Sequence, residues 1–267
     1  DFIVGSSVAD PGARSDACSA RVYSGSDGSL HYRKDGAHTG DYLGFDVAGV
    51  GDVNGDGYAD FLIGAYAANP GGVGNAGSAY LYSGADGSLL FQKDGEAAND
   101  FLGNSVAGVG DVNRDGTPDF IIGASEAEPG GLFNAGSAYV YSGADGSLLL
   151  KLNGAAANDQ LGISVDGAGD LNGDGRTEII VGAWRADPGG IMDAGSAFVL
   201  SLRARGDMNN DLELTPADVV LTLTCVFLQS GSCDLATYDL DCDGQLSPAD
   251  AVLELNGVFL AAALPPC

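Results

Sequence analysis

One pattern, spaced 59 residues apart without insertion or deletion, fills residues 1 to about 202. Asp1-Phe2-Ile3-Val4-Gly5 is matched by Asp60-Phe61-Leu62-Ile63-Gly64, then by Asp119 to Gly123 and by Glu178 to Gly182. Ser19 to Ser24 returns at Ser78, Ser137 and Ser196, and Leu43-Gly44 returns at Leu102-Gly103 and Leu161-Gly162. A long fixed period means that one supersecondary unit is stacked on copies of itself. Each unit predicts four short strands, exemplified by Val47 to Val50, Phe61 to Ile63, Ser78 to Tyr82 and Ser88 to Gln92. An Asp-Gly turn precedes the fourth, as in a hairpin. The pattern starts part-way through a unit and stops after Phe198-Val199-Leu200, which makes about three and a half units and fourteen strands.

Each unit also carries a loop dense in side-chain oxygen. Counting from Asp52, oxygens fall at positions one, three, five and nine: Asp52, Asn54, Asp56 and Asp60, with Gly57 where the chain must turn sharply. The second copy has Asp111, Asn113, Asp115 and Asp119, and the third Asp170, Asn172, Asp174 and Glu178. Asx and Gly residues also make ordinary turns. Three copies in register favour a hard divalent cation instead, and calcium tolerates such irregular oxygen cages better than magnesium does. The seventh position adds a backbone carbonyl, from Tyr58, Thr117 or Arg176.

After Leu202 the pattern changes, giving expected domains 1–202 and 203–267. The second part has its own repeat, of period 32. Asp207, Asn209 and Asp211 lead to Asp218, and Asp239, Asp241 and Asp243 lead to Asp250, with carbonyls from Glu213 and Gln245. Leu212 stands where the first of these loops would want Gly. Pro216 and Pro248 suit the first turn of a helix following each loop. Val220, Leu223, Val226 and Phe227 give one helix an apolar face, and Val252, Leu255, Val258 and Phe259 the other.

Composition narrows the function. A net charge of −26, from 37 acids against 11 bases, excludes nucleic acid and anionic membrane surfaces as partners. Apolar residues at 45% exclude a disordered chain, and no apolar run is long enough for a membrane span. The chain begins at Asp1 without Met, as a processed or partial sequence would. Of five cysteines, Cys225, Cys233, Cys242 and Cys267 crowd the tail, and Cys18 stands apart. That distribution points to disulfides in an oxidising, extracellular setting, with reduced buried thiols as the alternative. An odd count leaves one thiol free or paired between molecules.

The two histidines, His31 and His38, do not recur and read as surface imidazoles. No nucleophile elbow, zinc-protease or phosphate-loop motif occurs. Tyr23, Tyr82 and Tyr141 recur at the period and could stack sugars, though strand packing explains them more simply. Asp41, Asp100 and Asp159 recur just before each Leu-Gly as turn caps or groups near a metal.

Taken together, Leu-Gly-x-x-Val-Ala-Gly-Val-Gly-Asp-Val-Asn-x-Asp-Gly-x-x-Asp-Phe-x-Ile-Gly-Ala resembles the FG-GAP repeat of integrin α-subunit β-propellers. The tail resembles the dockerin family, with two EF-hand-like loops each followed by one helix. The resemblances imply a mainly β, propeller-type repeat domain with a small α-helical module and up to five calcium ions. They imply a non-enzymatic, extracellular protein whose partners are proteins; the unpaired edges of the incomplete repeat point to further copies of itself, joined head to tail or as a fibre, with truncation as the alternative. A carbohydrate-binding or targeting module of a secreted polysaccharide-degrading system is the alternative, and a hydrolase a third class. Dockerins bind cohesins, but Pro216-Ala217 and Pro248-Ala249 replace the hydroxyl residues that the cellulosomal type uses.

Overall fold

Short β-branched and aromatic runs separated by glycine turns fold here as successive antiparallel meanders. The computed structural model describes residues 1–6, 9–171, 173 and 176–202, so the dockerin-like tail and its candidate ligands Asp207 to Asp250 lie outside the described residues. Among the described residues fourteen strands form four sheets. The first contains β1 (Phe2–Ser6), β2 (Ser19–Tyr23) and β3 (Leu30–Asp35). The second contains β4 (Val47–Gly51), β5 (Asp60–Ala65), β6 (Ser78–Tyr82) and β7 (Leu89–Asp94), and the third β8 (Val106–Gly110), β9 (Asp119–Ala124), β10 (Ser137–Tyr141) and β11 (Leu148–Asn153). The fourth contains β12 (Leu161–Gly169), β13 (Glu178–Ala183) and β14 (Ser196–Leu200). In every sheet neighbours in sequence are neighbours in space.

The expected strands form, with one shift. The fourth strand of the unit begins at Leu89 rather than Ser88 and runs on to Asp94. Ser88 is held in the turn, where its N–H donates to Asp86 Oδ1 at 2.8 Å. The Pro-Gly-Gly segments between second and third strands, not anticipated from the pattern, close as single 3₁₀ turns at Pro70–Gly72, Pro129–Gly131 and Pro188–Gly190.

Burial explains the composition of each strand. β5 and β9 read Asp-Phe-Leu/Ile-Ile-Gly-Ala and are buried throughout, because their sheets are covered on both faces. In β6, Ala79 and Leu81 are buried while Tyr80 and Tyr82 are half-buried. Tyr82 stacks on Phe61 at 5.6 Å, and Tyr141 on Phe120 at 5.5 Å. These recurring tyrosines therefore serve cross-strand packing within their own sheets.

The first strands β4, β8 and β12 follow one another side by side, as in a propeller. Units are stitched at fixed places. Asp46 Oδ2 accepts the Val106 N–H at 2.8 Å, across one period. Lys34 Nζ donates to the Gly87 carbonyl and lies over the Tyr82 ring, and Lys93 repeats this with Gly146 and Tyr141. The Gly-Ala signature has a steric cause. A Cβ on Gly64 would strike the Gly103 carbonyl, and one on Gly123 the Gly162 carbonyl. Gly103 and Gly162 themselves adopt φ of +92° and +85°, which L side chains avoid.

Gly123→Ala should therefore lower stability by about 2–3 kcal/mol, since backbone rather than a flexible side chain is in the way. Gly74→Ala, where nothing lies within 4 Å, should change it by less than about 0.5 kcal/mol. Thermal melts of the two variants check this.

Candidate metal centres

Each acidic loop is the hairpin connection between the first and second strands of a unit. Gly51 pairs with Asp60 across β4 and β5, Gly110 with Asp119, and Gly169 with Glu178. The loop thus starts and ends at a fixed rung. At the tip of the first loop, Asp52 Oδ1 accepts the N–H groups of Gly55 and Asp56 at 2.8 and 3.0 Å, and Oδ2 that of Gly57 at 2.8 Å. Asn54 Oδ1 also accepts from Asp56 N–H at 3.0 Å, and Asp56 Oδ1 accepts from Tyr58 N–H at 2.9 Å. Gly55 and Gly57 have φ of +74° and +89°, which lets successive N–H groups point inward.

The second loop repeats the arrangement. Asp111 accepts from Asp115 and Gly116 at 3.1 and 2.9 Å, Asn113 from Asp115 at 3.0 Å, and Asp115 from Thr117 at 2.8 Å. Asn113 Nδ2 also donates to Asp115 Oδ2 at 2.8 Å. In the third loop Asp170 Oδ1 accepts from Gly173 at 2.7 Å, while Asn172 and Asp174 lie outside the described residues.

The ninth position behaves differently. Asp60 and Asp119 are buried at the root of the loop. Asp60 Oδ2 accepts from Val53 N–H at 2.8 Å and Oδ1 from Gly84 N–H at 2.9 Å. Asp119 does the same with Val112 and Gly143, at 2.9 and 3.0 Å. Glu178 Oε2 accepts from Leu171 at 2.7 Å. Asp1, which has no loop before it in this sequence, still accepts from Gly25 N–H at 3.0 Å. Sequence reading overlooked the partners that supply these bonds. Ser83-Gly84 and Ser142-Gly143 recur at the period, and the two serine hydroxyls donate to Asp56 and Asp115 at 2.9 and 3.3 Å.

Every side-chain donor in loops one and two is oxygen, which fits a hard cation. An ionised carboxylate offers about four lone-pair sites, so even Asp52, which accepts three N–H bonds, keeps capacity for an ion. Among the described residues no three His, Cys, Asp or Glu side chains converge as a metal cage. The loop carboxylates turn instead to backbone N–H groups, which relieve their mutual repulsion.

The environments pull these acids apart. Burial works to raise the pKa of Asp56, but the Asn54 amide and the Tyr58 N–H outweigh it and hold the group below its ordinary value. Asp115 is lowered in the same way. Burial wins at the root: Asp60 is raised, and Asp119 is pushed up to about 6.

Other sequence-singled residues resolve into structural roles. Asp41, Asp100 and Asp159 are buried turn caps, accepting the N–H of His38, Ala97 and Ala156 at 2.6, 2.8 and 2.8 Å. His31 and His38 lie near Asp1 and Asp41, each at 3.6 Å, with His38 well exposed. Cys18 is buried with a free thiol. An aromatic cleft of about 400 Å³, lined by Phe45, Tyr66, Phe101, Asn104, Glu126 and Ile163, opens in the segments that precede β4, β8 and follow β5, β9.

Residues 44–82 and 102–141 match the FG-GAP repeat. Among curated proteins the chain is similar to integrin alpha-2 of Bos taurus, at 29% identity over 200 residues, covering 70% of this chain and 16% of that protein. It is also similar to integrin alpha-V of Gallus gallus, at 33% over 171 residues, covering 62% of this chain and 16% of that protein. Integrin alpha-5 of Xenopus laevis matches at 30% over 181 residues, covering 62% and 17%. The chain therefore spans less than a fifth of these relatives. Among solved structures, the crystal structure of the exotype rhamnogalacturonan lyase YesX aligns with a TM-score of 0.38 and 14% identity, over 67% of this chain and 38% of that one. No helix among the described residues is long and apolar enough to cross a membrane.

The pKa of Asp119 sets a pH dependence. Its folded value, near 6, lies above the ordinary carboxylate value of 3.8, so between those limits the folded state holds the extra proton. In chelator-treated protein, stability should fall as pH rises from about 4 to about 6, by on the order of 2 kcal/mol. Denaturant melts across that range, compared with Asp119→Asn, which removes the titration, check the sign.

Proposed function

We propose that the chain is a non-enzymatic, extracellular, calcium-binding structural and interaction protein. The observation that carries this reading is the duplicated tip geometry. Two loops, 59 residues apart, present oxygens at positions one, three and five on the same backbone scaffold. In loop one the residues to hold the ion are Asp52, Asn54, Asp56, the Tyr58 carbonyl and Asp60. In loop two they are Asp111, Asn113, Asp115, the Thr117 carbonyl and Asp119. The ion supplies positive charge at the point where carboxylates gather, and the chain supplies its orientation. The tail adds up to two further ions through Asp207, Asn209, Asp211, Glu213 and Asp218, and through Asp239, Asp241, Asp243, Gln245 and Asp250. It acts as the docking element toward a protein partner.

Catalysis is not part of this reading, because the repeated acids go to loop scaffolds and turn caps. The extracellular assignment rests on the resemblance to integrin α-subunits and on the cysteines of the tail. Partners are other proteins or further copies of the chain. Self-association would use sheet edges: β1 and β14 each lie at an edge of a three-stranded sheet and expose Phe2, Val4, Phe198 and Val199.

Binding only the folded state stabilises by mass action, about 2.7 kcal/mol at a hundredfold excess over Kd. Each occupied loop should then raise the melting temperature by about 5–10 °C for a chain of this size. Asp56→Ala and Asp115→Ala should each remove one such increment. Melting curves with calcium and with chelator decide it, and identical curves would refute the calcium reading. Light scattering of the calcium-loaded chain should give a mass above one chain; a strict monomer would remove self-association from the proposal.

A further inference from the structure

The strict period breaks on side chains that share one cleft. Packing positions such as Gly64 and Gly123 keep their letters from unit to unit. Tyr66, by contrast, becomes Ser125 one period on, and Phe45 becomes Asn104. These four residues, with Phe101 and Glu126, line the aromatic cleft of about 400 Å³. That volume falls in the range of small-ligand sites. Phe45 precedes β4 and Tyr66 follows β5, so the cleft lies at the far end of this hairpin from the acidic loop 52–59.

The rings are held in place. Tyr66 lies against Tyr42, Phe45 and Phe101, with ring centroids 5.2, 4.5 and 5.8 Å apart. Tyr42 and Phe101 have φ of +55° and +54°, as Gln160 does at +52° one period on. Bulky residues rarely adopt this conformation. Here the Tyr42 N–H donates to the Asp16 carbonyl and the Phe101 N–H to the Asn75 carbonyl, both at 3.1 Å. The left-handed turn therefore belongs to the fold, and the aromatic side chains are what this cleft adds to it. Phe45 is left 51% exposed.

The polar side chains divide into a brace and two free groups. Asn104 Nδ2 donates to the Gly162 and Ile163 carbonyls, each at 3.2 Å, and its Oδ1 accepts the Ser125 N–H at 3.0 Å. It fixes the segment that carries Ser125 and Glu126. Among the described residues, the Ser125 hydroxyl and the Glu126 carboxylate have no hydrogen-bond or ionic partner. No Lys, Arg or His lines the cleft.

This set of groups selects a chemistry. A ring face takes C–H groups, a hydroxyl both donates and accepts, and a carboxylate accepts. A pyranose offers C–H groups on one face and hydroxyls around its rim. A simple organic cation would use the rings and Glu126 but leave Ser125 unpaired. An acidic sugar would meet Glu126 and a chain of net charge −26. We propose that this cleft binds a neutral pyranose of a glycan, with the sugar's C–H face on Phe45 and Tyr66 and its hydroxyls on Ser125 and Glu126. The site is separate from the acidic loops and does not depend on the calcium reading.

Calorimetric titration of the full chain, in calcium chloride, with neutral tetrasaccharides of glucose, galactose, mannose and xylose tests this. At least one should bind, and tetragalacturonate should bind at least about tenfold more weakly. Raising sodium chloride about tenfold should change the affinity by less than about twofold, since no charge is neutralised. Phe45→Ala should weaken binding by about tenfold. Glu126→Gln, which keeps the shape and serves even if the first variant misfolds, should weaken it by about fivefold. Phe133→Ala, at an exposed ring outside the cleft, should leave it unchanged. Binding by none of the four neutral sugars, preference for the uronate, or full affinity in a folded Phe45→Ala or Glu126→Gln chain would overturn the proposal. Binding of tetramethylammonium without any sugar would overturn it too, in favour of a cation site.

Discussion

A buried carboxylate at the start of β5, β9 and β13 holds its unit together. Asp60 reaches back to its own loop through Val53 N–H and sideways to the turn after the third strand through Gly84 N–H. Asp119 repeats both bonds. One side chain thereby fixes where the acidic hairpin ends and how the third strand leaves the sheet. Without those two donors, a charge in so dry a position would cost several kcal/mol. Loop tip, sheet register and the following turn are consequences of satisfying that group.

The same loop keeps neighbouring acids in different states. The tip carboxylates are held acidic by N–H and amide donors, and the root carboxylate is pushed toward neutrality by burial. With 37 acids on 11 bases, the chain cannot solve its repulsion by ion pairs alone. It uses backbone dipoles at the tips and lysines across the sheet junctions. Lys34 and Lys93 show how sparing this is, since each serves a carbonyl and an aromatic face of the next unit at once.

Much of this was legible in the amino-acid order, because a strict period copies geometry along with letters. Strand positions, hairpin loops and the mainly β architecture with propeller-like sheets follow from residues that recur. The extension of the fourth strand to Asp94 was not legible, since Lys93 and Asp94 look like loop residues until their cross-strand partners Ala79 and Ser78 are seen. Asp41, Asp100 and Asp159 were ambiguous between cap and ligand for a similar reason: the N–H three residues back has no sequence signature. Tyr58, Thr117 and Arg176 counted alike while only their carbonyls were considered. Side-chain burial, which no spacing encodes, separates them.

The junctions between sheets recur at the period. The Gly64 gap receives the Gly103 backbone, Asp46 receives Val106, and Lys34 finds Gly87. Such a chain can be lengthened or shortened by whole cassettes at little cost, because every new seam reproduces an old one. A partial duplication would instead set side chains against carbonyls. Unequal recombination between repeats, which swaps whole cassettes, is thus a route by which this architecture can change size while every seam stays the same.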